Sequence, residues 1–193
     1  MKSILGNSRQ TGLAIILVGL MIMIIGFGQY FESKLKVATL IQNNIGSFKR
    51  YEALKGKISY NLPGTWIASE GTTSKENVIH FNEFVSDDAN TRGFIEVTET
   101  KEDIRKIIEI EVKEIQGMGI HQYYLEELKI KNNTVQVVKY NINASADNVK
   151  KVYNYYIKKD DILVKISFGM KDKTHKENTP VFLENIINTF TFK

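Results

Sequence analysis

Hydrophobic and polar positions divide the chain into two regimes. Residues 12–31 carry no charge and are almost wholly apolar; Arg9 is the last charge before them and Glu32 the first after. A helix rises about 1.5 Å per residue, so about 20 such residues match a hydrocarbon core of about 30 Å. A helix also satisfies its own backbone polar groups, which lipid cannot do. Residues 11–31 are therefore expected to form one transmembrane helix, with Gln29, Tyr30 and Phe31 at the level of the interfacial aromatic belt. Residues 1–10 read as a short cytoplasmic tail. Residues 32–46 place Leu35, Ala38, Leu40 and Ile41 among polar side chains, a juxtamembrane helix ended by Asn43, Asn44 and Gly46. The competing reading is a cleaved signal peptide, whose apolar region spans only about 7–15 residues. Here the run is longer, and the best cleavage position, near Val37-Ala38, lies past it and behind Lys34 and Lys36.

From residue 47 the periodicity changes. Residues 57–61 alternate and lead through Leu62 to the turn signal Pro63-Gly64, with Tyr60, Leu62 and Trp66 as anchors. Residues 77–85 read as a strand with Ile79, Phe81 and Val85 in step and Phe84 out of step. Residues 86–92 form a polar loop, and 93–98 a strand turning Phe94 or Ile95 inward. Residues 100–118 are the clearest helix: Thr100 can cap it, Asp103 completes a capping box, and Ile104, Ile107, Ile108, Val112 and Ile115 form one stripe. Gly117 and Gly119 stop it. Two hairpins follow, 123–130 with 134–142 and 151–158 with 162–170; period-two patterning runs through both strands of the second. Thr179 and Pro180 open a last helix with Phe182, Leu183, Ile186 and Ile187 on its apolar face, and 189–192 read as a closing strand. Strands, helix, four strands, helix: the order predicts an α+β fold, an antiparallel sheet with helices packed on it.

Three segments carry a family resemblance: Ile58-Ser-Tyr-Asn-Leu-Pro-Gly-Thr-Trp66, Tyr153-Asn-Tyr-Tyr-Ile157 with Ile162-Leu-Val-Lys-Ile-Ser-Phe168, and Ile186-Ile-Asn-Thr-Phe-Thr-Phe192. In layout, residues 48–193 resemble the PsbP-like family, named for an extrinsic subunit of photosystem II. The resemblance implies a PsbP-like sandwich, an antiparallel sheet between helices. It implies no single activity, since such relatives range from photosystem accessories to bacterial envelope proteins. The membrane segment departs from the soluble photosystem members.

Composition narrows the picture. The chain has 193 residues, and those after the anchor suffice for one domain, assigned to 47–193. With no cysteine, disulfides, thiolate metal sites and a lipoprotein thioether are excluded. The net charge of +4 is concentrated ahead of the domain: Lys2, Arg9, Lys34 and Lys36 against Glu32 give +3, leaving +1 for residues 47–193. A nucleic-acid partner needs clustered positive charge on the domain itself, so none is expected. Lys, Ile and Asn outnumber Arg and Ala as in a GC-poor bacterial genome. Lys and Arg nearly balance across the span, and the short leading tail beside a long trailing domain puts the domain outside the membrane. Gly12, Gly19 and Gly26 recur every seven residues, a face on which two spans can approach as a homodimer.

The candidate chemistry is sparse. His80, His121 and His175 show no metal-ligand spacing. Asp87, Asp88 and Asn90 follow Glu83 in a loop that lacks the glycine and terminal glutamate of an EF-hand. Glu111 interrupts the apolar stripe of the first soluble helix; a fully buried carboxylate there could be functional, while a rim position would be ordinary. Lys150, Lys151, Tyr153, Tyr155, Tyr156, Lys158 and Lys159 interleave base and aromatic, either a stacking surface or a strand edge guarded by lysines. No phosphate loop or nucleophile elbow is present, so no catalytic, cofactor-binding or metal residue is assigned. The expectation is a membrane-anchored, extracytoplasmic, non-catalytic module binding a protein or cell-wall partner. The alternative is an enzyme of unrecognised type, which would need a pocket gathering Glu111, His80 or the pair Asp87-Asp88.

Overall fold

The computed structural model describes residues 17, 18, 20–22, 47–120, 122–131, 133–143 and 149–193. The chain divides into two compact units, Met1–Asn44 and Ile45–Lys193. In the first, Leu17, Val18, Leu20, Met21 and Ile22 are helical, each at least half exposed. The rest of the expected span 11–31, the tail 1–10, the extension to residue 46 and the glycines Gly12, Gly19 and Gly26 lie outside the described residues, as does His121. Among the described residues, no helix is long and apolar enough to cross a membrane.

The second unit is an α+β sandwich. Strands β1 (Phe48–Ala53), β2 (Ile58–Pro63) and β10 (Thr191–Phe192) form a three-stranded sheet in the order β1-β2-β10. The larger sheet has seven strands: β3 (Ile67–Glu70), β4 (Val78–Val85), β5 (Thr91–Glu99), β6 (Tyr123–Ile130), β7 (Asn133–Asn143), β8 (Val149–Lys159) and β9 (Ile162–Lys171). Its spatial order is β3-β4-β5-β9-β8-β7-β6, with every pairing antiparallel. Two helices, α1 (Ile104–Gly117) and α2 (Thr179–Ile187), complete it.

Residues directly opposite in an antiparallel ladder share a face. Ile95, Ile166 and Tyr155 align across three strands, as do Val97, Val164 and Ile157. This face meets the small sheet and α2. Trp66 stacks on Phe84 at 5.3 Å and meets the edges of Phe168 at 6.4 Å and Phe182 at 6.0 Å. Tyr60 stacks on Phe190 at 5.0 Å. On the other face Ile108, Val112 and Ile115 of α1 pack on Val138, Tyr156 and Leu163. Covered on both sides, β8 and β9 bury both of their alternating sets, as their sequences imply.

Several expectations need correcting. Strands β1 and β3 were not legible: β1 is a half-exposed polar-aromatic strand and β3 a short exposed one, so neither shows an apolar alternation. In β4 the expected inward set is reversed. Phe84 is buried at 3% exposure, whereas Ile79 is 43% exposed, and the register slips between Val78 and His80. Strand β5 starts at Thr91, inside the expected loop, and it is Ile95 that enters the core. Helix α1 starts at Ile104, because Asp103 caps it by accepting from the Arg105 amide at 2.8 Å. Thr100 is not the cap; its Oγ1 accepts from the Glu102 amide at 3.1 Å. In α2 the N-cap position is Asn178, which makes no side-chain capping bond, and Thr179 Oγ1 accepts from the Lys176 amide at 2.9 Å.

Candidate functional site

The odd carboxylate of the sequence, Glu111, sits between α1 and the sheet. Its Oε2 accepts from Lys165 Nζ at 2.7 Å and its Oε1 from Asn154 Nδ2 at 2.7 Å. Lys165 stands opposite Glu96 on one side and Tyr156 on the other. Its ammonium also lies 5.5 Å from the Phe94 ring centroid and 5.7 Å from that of Tyr156. Glu96, 7% exposed, accepts from Lys75 Nζ at 3.1 and 3.2 Å. The result is a cleft of about 240 Å³ floored by the ion pairs Lys165–Glu111 and Lys75–Glu96. Burial raises the Tyr156 hydroxyl well above the usual tyrosine range, and the negative Glu111 adds to the effect. All four carboxylate oxygens of Glu96 and Glu111 accept a bond, so the floor of the cleft is a network of paired charges. Glu111 is thus neither open at the rim nor fully buried: its side chain is 15% exposed and paired with Lys165.

The other candidate groups are elsewhere. His80 shares a face with Asn82 and Phe84, opposite to the face that Glu111 reaches; Asn82 donates to Tyr60 Oη at 2.8 Å. Burial lowers the His80 pKa, against a smaller pull from Glu70. Asp88 is consumed by the β4–β5 turn, accepting from Ser86 Oγ at 2.6 Å and from the Asn90 amide at 3.0 Å. The Ser86 bond holds its carboxyl below the usual range. His175 stacks on Tyr153, with Nε2 2.7 Å from the tyrosine hydroxyl. The pocket that a catalytic reading requires is therefore not assembled from Glu111, His80 and Asp87-Asp88. Among the described residues, no group of three His, Cys, Asp or Glu could hold a metal ion.

The basic-aromatic run on β8 forms neither a stacking surface nor a guarded edge. Strand β8 is interior, between β7 and β9, and Tyr155 and Tyr156 are fully buried on opposite faces.

A second cleft, of about 460 Å³, opens where the ends of the two sheets come together. Leu54, Ile58, Ile79, Ile162 and Phe192 supply apolar walls, and Lys55, Lys57, Lys159 and Lys193 line the same cleft. The β1–β2 turn builds one wall with three successive left-handed residues, Leu54 (φ 51°), Lys55 (φ 55°) and Gly56 (φ 82°). Glycine suits that region; a leucine and a lysine there are costly and persist only where the surroundings impose them. Lys159 Nζ lies 5.8 Å from the Phe192 ring centroid, and the Lys193 amide donates to the Lys57 carbonyl at 2.9 Å. Among the described residues none of the four lysines forms an ion pair, although Glu99 and Asp160 line the same cleft. The arrangement suits an anionic group attached to an apolar body. Sequence reading missed it because residues 55, 57, 159 and 193 are joined only by the sheet topology.

No protein-family model matches the chain, and no curated protein matches it in sequence. Solved structures do. The solution structure of cyanobacterial PsbP (CyanoP) from Synechocystis superposes with a TM-score of 0.56 at 12% identity, over 77% of this chain and 94% of that one. A Bacteroides thetaiotaomicron protein superposes with a TM-score of 0.51 at 16% identity, over 75% of this chain. This chain covers 48% of that second protein's length. At such identities the likeness is one of fold: the body is a PsbP-like α+β sandwich.

Proposed function

We propose that the chain is a membrane-tethered, extracytoplasmic, non-catalytic binding module of a bacterial envelope. In this reading it grips an acidic, apolar peptide segment of another envelope protein in the lysine-rimmed cleft. The observation that carries it is that Lys55, Lys57, Lys159 and Lys193, none in an ion pair among the described residues, line one cleft with apolar walls and outnumber its carboxylates Glu99 and Asp160. Lysines elsewhere on the body, such as Lys75, Lys139, Lys151 and Lys165, do find carboxylates. Clefts of several hundred Å³ with apolar walls and a few convergent polar groups are the usual form of a binding site. The tether is supported by the uncharged run 12–31 and by the helical, exposed state of Leu17, Val18, Leu20, Met21 and Ile22.

The test uses the full-length protein in living cells with a photo-crosslinking residue at Ile79, on the exposed wall of the cleft. The wild type should yield one reproducible adduct, and Lys55→Glu with Lys159→Glu should remove it. No reproducible adduct, or one indifferent to the charge reversal, contradicts the proposal.

A further inference from the structure

Strand β6 is the outermost strand of the seven-stranded sheet, and its far edge has no strand partner among the described residues. It is eight residues long with six of them exposed, whereas β3, at the opposite edge, has only four residues. Tyr124 and Leu125 expose 69% and 54% of their surface. A long edge of this kind presents a row of open N–H and C=O groups to another strand. We infer that β6 pairs antiparallel with β6 of a second copy of this chain, in the register that sets Leu128 opposite Leu128.

The pleat and the charges select that register. Side chains directly opposite in a ladder point to one face, so two identical edges joined about a two-fold axis must set one residue against its own copy. Centring on Glu126, Glu127 or Lys129 opposes like charges, which destabilises a pair. Centring on Leu128 sets Glu127 against Lys129 of the second copy on both sides of the axis, with Glu126 against Ile130. Centring on Leu125 sets Tyr124 against Glu126 and Tyr123 against Glu127 and makes no ion pair. The strand thus carries its own electrostatic complement, which is why the occupant is a second copy rather than an unrelated peptide. Among the described residues Glu127 and Lys129 bond to the neighbouring β7, to Gln136 at 2.7 Å and to Thr134 at 2.5 Å, on exposed groups that can exchange partners. The overlap is short, so the pair is weak in free solution and gains from any shared confinement. The pairing itself does not depend on the tether or on the lysine-rimmed cleft.

The chain has no cysteine, so single-cysteine variants of the full-length protein in native membranes report one position at a time. Opposed residues in an antiparallel pair have Cα atoms about 4.5–5.5 Å apart, inside the range of about 4.4–6.8 Å that a disulfide spans. Leu128→Cys should therefore oxidise rapidly to a covalent dimer. Glu126→Cys and Ile130→Cys should each stay monomeric, their own copies lying about 13 Å apart along the strand. Co-expressed, these two should form the mixed disulfide, a route that does not depend on the fold tolerating a change at Leu128. Equal products at every position, a silent mixture of Glu126→Cys with Ile130→Cys, or a dominant product from Leu125→Cys each overturns the assignment.

Discussion

Lys165 Nζ stands 2.7 Å from Glu111 Oε2, with the two side chains only 14% and 15% exposed, so the middle of α1 is tied to the middle of the large sheet by an ion pair. Removing one member of such a pair strands the other charge away from water. Glu111→Ala is expected to lose about 3 kcal/mol or more. Replacing both, as Glu111→Leu with Lys165→Met, should recover much of that loss, because an apolar pair needs no desolvation. Chemical denaturation followed by Trp66 fluorescence reads both. A double variant as unstable as the sum of the two single losses would contradict the ion-pair account.

Gly93 has no room for a side chain. A Cβ added there would fall against the Ser167 carbonyl oxygen and the Phe84 ring. The carbonyl belongs to the ladder and cannot retreat. Gly93→Ala should therefore cost at the upper end of the roughly 1–3 kcal/mol typical of overpacking. The same change at Gly117, where nothing lies within 4 Å of the added carbon, should be neutral or stabilising. Thermal unfolding of the two variants side by side checks the contrast.

The two sides of the sheet were legible to different degrees. Strands β8 and β9 could be read because both of their faces are apolar, and their turn at Asp160 and Asp161 announced itself by polarity. The face of β4 could not. Its inward set is His80, Asn82 and Phe84, two of them polar, while the outward set contains Ile79 and Phe81; the latter is sheltered by Phe94 at 5.4 Å. An apolar count favours the wrong side when a polar residue is buried with a partner, as Asn82 is with Tyr60. The cleft lined by Lys55 and Lys159 was invisible for another reason: those two residues are brought together by sheet topology, not by spacing.

His175 makes stability depend on pH. Burial and the nearby Lys151 hold its pKa below the ordinary 6.5, against Asp172, and the neutral ring can accept the Tyr153 hydroxyl through Nε2. His80 is lowered as well, by burial. Groups depressed in the folded state take up protons first in the unfolded chain. Their contribution is complete above about 6.5 and is lost as pH falls through the lower folded values. The melting temperature should thus drop between pH 7.5 and pH 5, and His175→Gln should flatten the drop. An unchanged slope in that variant removes His175 as a cause.

Phe168 touches Trp66, Phe84 and Tyr155 at ring separations of 6.4, 5.3 and 6.0 Å. Its truncation to alanine should cost about 3–5 kcal/mol. Chemical denaturation followed by Trp66 fluorescence checks the loss, and a variant as stable as the wild type would contradict the packing described.

The proposed tether, which would hold the sandwich outside the cell membrane, is open to a test by cysteine accessibility. The full-length chain would carry a single cysteine at the exposed Lys173 or, separately, at Ser3, and intact cells would be treated with a membrane-impermeant maleimide. With the tether in place, Lys173→Cys is labelled at once, Ser3→Cys only after lysis, and the intact chain remains in alkali-washed membranes. Labelling of Lys173→Cys only after lysis, or recovery of a free body that has lost its first forty residues, contradicts it.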